Sequence, residues 1–306
     1  MKVGFIGLGN MGNPMAANIL KAEHELVVYD VRRELGRNLE DAGAKWAPSP
    51  RHVAAQSEVV LSSLPGPREV EAVVMGEEGI FAGLSRGSAY IDTSTNAPAT
   101  MRRIAELGAA RGFFVLDAPI SGGVFGARDA TLTVFVGGKK EDFERFRPLL
   151  QGIGRHVVYM GPTGCGNVTK LVNNVMMFIN FIGGCEGMAM GIKAGIDPQL
   201  LLDVIKPSMG NSKILERTMT LFLQGEGMYS ATELAVKDMH LGVELGMDTG
   251  VPLELSPLVE DIIARFRDGG RGQEDFTEII RDFMQRSGAD IPRAAGAMSA
   301  PRQDEK

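Results

Sequence analysis

Cysteine is almost missing from this chain: Cys165 and Cys185 are the only two, and neither stands in a spacing that would ligate zinc or form a redox pair. A disulfide framework is excluded, and both read as plain thiols. A basic tract is also missing. Lys and Arg number 32 against 38 Asp and Glu, giving a formal net charge of -6, and they are scattered along the sequence. That pattern offers no footprint for nucleic acid or an anionic membrane surface, so a small molecule is the expected partner. No apolar run is clean enough for a membrane span. The best candidate, residues 175–196, is rich in Met, Ile, Phe, Gly and Ala, but Asn180 and Glu186 interrupt it, and it reads as a buried helix. Strand-like Val3-Gly4-Phe5-Ile6 follows Met1 and Lys2 at once, leaving no room for a signal peptide. The expected location is cytoplasmic, or that of a processed organellar form.

What is present is an ordinary globular composition, 44% hydrophobic and 23% charged, over 306 residues, enough for two domains or one large one. Apolar runs alternate with amphipathic stretches from the start: VGFIGL, a helix near 11–22, LVVYD, a helix near 33–42, then VVLSSLP. This alternation predicts a parallel sheet wound with helices. Further strands are expected at 89–94, 113–119, 132–138 and 157–161. After Gly161 the strand-like runs give way to long helical patterns separated by Gly and Pro, including one helix from Gly166 to about Ala194. Gly183, Gly184 and Gly187 weaken that helix locally, and close helix-on-helix packing is their expected reason. Residues 292–306, poor in apolar side chains and rich in charge, read as a disordered tail.

Gly7-Leu8-Gly9-Asn10-Met11-Gly12 follows the first strand and opens the first helix. In that setting the first glycine permits a tight turn, the second lets the backbone approach a pyrophosphate, and the third lets helix and strand pack closely. The helix N-terminus offers unpaired N–H groups to the phosphates. Asp30 ends the second strand at about the 20-residue distance where a carboxylate accepts hydrogen bonds from the adenosine ribose, which selects NAD. Arg32 and Arg33 follow directly, and a guanidinium there would hold the 2′-phosphate of NADP if Asp30 turned away. The expected class is therefore α/β, a Rossmann-type doubly wound parallel sheet over 1–162 followed by a smaller all-α domain over 163–291.

GFIGLGNMGNPMAANIL (4–20), SLP (63–65), DTST (92–95), DAPISGG (117–123), GCGNVTKLVNN (164–174) and KDMHL (237–241) occur in the order found in β-hydroxyacid dehydrogenases. The chain resembles this family over nearly its whole length, and within it most resembles 3-hydroxyisobutyrate dehydrogenases and tartronate semialdehyde reductases. The resemblance implies that Lys170 is catalytic. Removing hydride from an alcohol carbon requires the hydroxyl proton to leave, so a basic group must touch that oxygen; in reverse, the ammonium protonates the carbonyl. A free lysine titrates near 10.4, so such a base needs desolvation or nearby positive charge. Asn173 and Asn174 follow at helical spacing on the same face, Asn174 with a catalytic and Asn173 with a substrate-holding role. Lysine supplies the polarisation, so no metal is called for.

Ser121, Gly122 and Gly123 form a small turn able to aim a hydroxyl and backbone N–H groups at the substrate carboxylate. The resemblance further implies that Leu64, Pro65 and Thr95 line the cofactor path, and that Lys237, next to Asp238, reaches back to the cofactor. Asn10 and Met11 fit cofactor packing. The polar segment 207–214 is expected to wall the substrate side, and His240 is the one histidine near these motifs. The expected reaction is hydride transfer between a nicotinamide and a small 3-hydroxy acid, with the acid entering between the domains. Tartronate semialdehyde reduction and oxidation of a β-hydroxy amino acid are the alternatives. A non-catalytic nicotinamide-binding sensor is the rival of another class, although it would not need Lys170 and the paired asparagines. A homodimer or homotetramer is expected, with the helical domain serving substrate binding and oligomerisation.

Overall fold

Strand β1 (Lys2–Ile6) is almost wholly apolar, so it is stable only where both faces are covered. In the computed structural model, which describes residues 1–289, it lies inside a mixed sheet with β2 (Glu25–Tyr29), β3 (Lys45–Trp46), β4 (Val59–Ser62), β5 (Ala89–Asp92), β6 (Phe114–Asp117), β7 (Ile120–Ser121), β8 (Leu132–Gly137) and β9 (Gly154–Gly161). The order is β3-β2-β1-β4-β5-β6-β8-β7, with β9 also paired to β8. The helices of this part are α1 (Gly12–Lys21), α2 (Arg37–Asp41), α3 (Pro50–Ala55), α4 (Pro67–Met75), α5 (Ile80–Gly83), α6 (Pro98–Arg111), α7 (Gly123–Arg128) and α8 (Lys140–Gln151). The two-residue period of the strands sorts their side chains. Val3, Phe5, Val59, Leu61 and Ile91 enter one apolar core, while Ile6, Val60 and Tyr90 enter another.

The strands expected from the sequence are all present, and β3 to β6 pair in parallel. The sheet reverses at β8, where Asp117 faces Gly137 in antiparallel pairing. The intervening helix α7 has 6 residues and rises only about 9 Å, too little to return the chain to the start of the sheet. The 12-residue α8 does return it, and β9 runs parallel to β8. The short strands β3 and β7 carry no alternation long enough to read. The helix expected near 33–42 is broken into a 3₁₀ turn, Arg33–Gly36, and α2.

The chain divides into two units between Val172 and Asn173, and the division falls within α9 (Cys165–Lys193). The second unit continues with α10 (Pro198–Ile205), α11 (Lys213–Gln224), α12 (Thr232–Asp248), α13 (Leu255–Phe266) and α14 (Ile279–Ser287). Helix α9 is long and apolar enough to cross a membrane. Its Phe178, Phe181, Ile182, Cys185 and Met188, spaced by three and four, instead form the spine of this unit's core with Leu215, Met219, Met239, Ile263 and Ile280. Phe276 meets Phe178 and Phe181 edge-on at 5.7 and 5.1 Å. The glycines of α9 divide. A Cβ at Gly184 would lie 2.7 Å from Leu215, so close packing explains it, whereas Gly183 and Gly187 face open space and packing does not explain them. The expected tail, 292–306, and the last residues of the expected second domain lie outside the described residues.

Gly166, in the first turn of α9, approaches the sheet so closely that a Cβ would fall 2.4 Å from the Phe135 carbonyl oxygen and 2.8 Å from that of Asp117. Gly→Ala inside a helix ordinarily gains up to about 1 kcal/mol. Here the clash is with backbone that cannot rotate away, and overpacking of about 1–3 kcal/mol outweighs the gain. Gly166→Ala is expected to lower stability, read as a reduced urea midpoint with an unchanged slope.

Candidate active site

The loop from Gly7 to Gly12 has three different requirements, and each glycine meets one. Gly7 has φ 88°, and a Cβ there would lie 2.3 Å from the Ser63 carbonyl oxygen. A Cβ at Gly12 would lie 1.8 Å from the Gly7 carbonyl oxygen, so only glycine lets α1 start here. At Gly9 a Cβ would meet nothing within 4 Å, which leaves the backbone open to a ligand. This is the cradle a dinucleotide pyrophosphate needs, and the residues fit the group. Asp30 closes the loop: its carboxylate accepts from the Leu8 amide at 2.7 Å and from the Arg32 amide at 2.8 Å. Leu64 packs against Gly7 and donates its amide to Ser94 Oγ at 2.9 Å. Pro65 and Asn10 are exposed beside this loop, and Met11 is half-buried against the first core.

Two aspartates end neighbouring parallel strands, Asp92 on β5 and Asp117 on β6, and both are buried. Asp92 accepts from Ser62 Oγ at 2.9 Å, from the Ser94 amide at 3.1 Å and from Asn96 Nδ2 at 3.1 Å. Tyr90 adds its hydroxyl 2.8 Å from Ser62 Oγ. Asp117 takes the Gly164 amide at 2.7 Å and the Asn167 amide at 2.8 Å, one on each carboxylate oxygen. Asn167 Oδ1 in turn accepts from the Asn96 amide at 2.7 Å. Burial pushes both carboxyls above their ordinary value, against the lowering effect of these donors. The outcome is a fixed first turn of α9, with Lys170 one turn beyond Asn167. Thr95 is held between Ser94 and Asn96.

The same stretch of chain builds the serine-glycine turn. Three residues after Asp117, Ile120 and Ser121 pair with Val134 and Thr133, and Gly122 and Gly123 then take φ 138° and 67°, which a side chain would resist. In the second unit, Asn173 Nδ2 donates to Asn174 Oδ1 at 3.1 Å, and buried Asn174 donates to Asp238 Oδ2 at 2.9 Å. Lys237 Nζ lies 2.6 Å from Asp238 Oδ1, so Asp238 joins Asn173, Asn174 and Lys237 in one group. His240 points elsewhere: it pairs with Glu260 at 2.8 Å on an exposed surface. In the segment 207–214, Ser212 caps α11 by accepting the Leu215 amide at 3.2 Å, and Asn211 donates to the Lys206 carbonyl at 2.9 Å.

Asn96, Asn167, Asp92 and Asp117 carry no role in the sequence reading, yet they fix the residues that do. The available signal was a pair of carboxylates at the C-terminal ends of adjacent parallel strands, the edge at which α/β sites form. Asn167→Ala leaves the buried Asn96 amide without its acceptor, and an orphaned buried donor costs about 1–3 kcal/mol. Chemical unfolding of the variant is expected to show a loss of that size, whereas an unchanged midpoint would mean that water replaces the amide without penalty.

A family model described as the NAD binding domain of 6-phosphogluconate dehydrogenase matches residues 2–161, and one described as NAD-binding of NADP-dependent 3-hydroxyisobutyrate dehydrogenase matches residues 164–283. A 3-hydroxyisobutyrate dehydrogenase of Pseudomonas aeruginosa is 44% identical over 69% of this chain and 70% of its own length. An NAD-dependent L-serine dehydrogenase from the same organism is 39% identical over 92% of this chain and 97% of its own. Among solved structures, a 3-hydroxyisobutyrate dehydrogenase from Salmonella typhimurium superposes with a TM-score of 0.84 at 28% identity, covering 92% of this chain and 99% of that one. Together with the glycine cradle and the lysine helix, these matches make the chain a member of the β-hydroxyacid dehydrogenase family of NAD(P)-dependent oxidoreductases.

Proposed function

We propose that this protein is a cytoplasmic enzyme that oxidises the alcohol of a small 3-hydroxy acid of the 3-hydroxyisobutyrate type, using NAD, with Lys170 as the general acid and base. The observation that carries the proposal is the fixed start of α9, which holds Lys170 one turn past a buried Asp117–Asn167–Asn96 network. A proton-transfer group must sit within hydrogen-bonding distance of the reacting oxygen, so a helix anchored at its first turn suits the task. A bound dinucleotide would supply the hydride acceptor in oxidation and the hydride donor in reduction. Lys170 takes the hydroxyl proton as the alcohol becomes a carbonyl and gives it back in reverse. Asn174, held by Asp238, orients the lysine and the substrate oxygen; Asn173 assists on the substrate side. Ser121 and the amides of Gly122 and Gly123 receive the carboxylate. Residues 1–162 bind the cofactor through Gly7 to Gly12, Asp30, Leu64, Pro65 and Thr95, and Lys237 of the all-α domain of residues 163–291 is a further candidate cofactor-binding residue.

A second reading, oxidation of a β-hydroxy amino acid such as L-serine, is favoured by the 39% identity to an L-serine dehydrogenase. Both readings use the same lysine. Purified wild type assayed with 3-hydroxyisobutyrate, glycerate, 3-hydroxypropionate and L-serine is expected to turn over at least one of them. Lys170→Ala is expected to lose about 10²–10⁴-fold in kcat while retaining cofactor binding. Turnover that survives in this variant would rule out Lys170, and a wild type that binds cofactor but oxidises none of the acids would favour the sensor.

A homodimer or homotetramer is part of the proposal. In the second unit Met190 is 74% exposed and Met176 60% on α9, and Leu200 and Val204 are exposed on α10. Apolar surface of this kind commonly marks an association face. Light scattering after gel filtration is expected to give at least twice the 32.8 kDa chain mass; a monomer at micromolar concentration would remove this part.

A further inference from the structure

The turn after β2 carries Arg32 and Arg33, the side chains available to answer the 2′-phosphate of NADP. Their surroundings differ. Arg32 is exposed. Arg33 lies over the Trp46 ring with its guanidinium carbon 4.3 Å from the centroid, and its two terminal nitrogens meet the two carboxylate oxygens of Glu40, Nη2 to Oε1 at 2.9 Å and Nη1 to Oε2 closer still. A two-point pair uses the same fork of donors that a phosphate would take, and stacking sets the plane of the fork. Trp46 is itself backed closely by Gly36, where a Cβ would fall 2.6 Å from the indole. Asp30 is equally constrained. It cannot turn away for a phosphate without releasing the Leu8 and Arg32 amides that hold its two oxygens.

An exposed ion pair contributes little to stability, so the consequence of this one lies in what Arg33 is kept from touching. We infer that Glu40 is a cofactor-specificity residue: by engaging Arg33 it withholds a phosphate-binding guanidinium, and the fixed carboxylate of Asp30, which repels a 2′-phosphate, then selects NAD. The inference rests on the dinucleotide reading of the glycine loop. Glu40 acts through Arg33 and is not a catalytic residue.

The test is calorimetric titration of NAD and NADP into the full chain, comparing wild type with Glu40→Gln, Arg33→Ala, Arg32→Ala and the Glu40→Gln/Arg33→Ala double variant. Wild type is expected to bind NAD about tenfold or more tighter than NADP, and Glu40→Gln to narrow that ratio by about three- to tenfold. Arg33→Ala alone is expected to leave the ratio unchanged, and in the double variant to abolish the gain. A gain that persists without Arg33 would overturn the inference, because loss of the Glu40 charge alone would then explain it. So would a wild type that binds both dinucleotides equally and loses NADP on Arg32→Ala or Arg33→Ala. Failure of wild type to bind either dinucleotide would instead remove the cofactor reading, and this inference with it.

Discussion

Asp117 holds two backbone amides inside the protein, and the placement of the helix that carries Lys170 depends on it. Its carboxylate ends β6 and accepts the Gly164 and Asn167 N–H groups at the start of α9. Those amides have no partner within the helix, and a carboxylate is the group that the positive end of a helix favours. Burial opposes this by disfavouring the charged form, and the carboxyl is pushed upward as a result. The site is closed only because glycine stands at Gly137 and Gly166, where any Cβ would strike Asp117 or its neighbours. From Asp117 the chain of hydrogen bonds continues through Asn167 and Asn96 to Asp92, Ser62 and Tyr90. Lys170 follows this network by one helical turn, so the network fixes where its backbone starts.

The two halves of the proposed chemistry are positioned by different means. The glycine loop is set mainly by what Gly7, Gly9 and Gly12 lack, with the Asp30 carboxylate holding the Leu8 amide within it. The start of the lysine helix and the Asn174 amide are set by side-chain carboxylates, Asp117 in the first unit and Asp238 in the second. Buried hydrogen bonds to charged groups contribute more than neutral ones, and cost more when broken. Exposed pairs such as Arg265–Asp261 or Arg51–Glu78 contribute little by comparison. The Arg33–Glu40 pair belongs by exposure to that weak class, and its interest is chemical.

The fold was readable where local patterning and burial coincide. Strands β1, β4 and β5 are continuous apolar runs because both of their faces are covered, and the helix of 165–193 showed itself by its length and apolar composition. The reversal at β8 was not readable, since it depends on how far a short helix travels and not on any residue's preference. Gly184 was anticipated as a packing glycine and Gly183 was not distinguished from it, because only the position of Leu215 separates the two.

By itself the sequence determined the glycine cradle, Asp30 at the end of the second strand, and the shared helix face of Lys170, Asn173 and Asn174, while the resemblance to the family implied that this lysine is the one worth testing. The features read directly are short-range, in which spacing along one turn or one helix fixes the geometry. Only the tertiary structure decided that Asp117 and Asn167 anchor the lysine helix, that Asp238 gathers Asn174 and Lys237, and that Arg33 is already engaged by Glu40 and Trp46. Each of these joins residues distant in sequence, or chooses among partners of equal chemical merit. Such choices are made by packing, because a buried donor or charge takes whichever acceptor the fold brings within 3 Å or so.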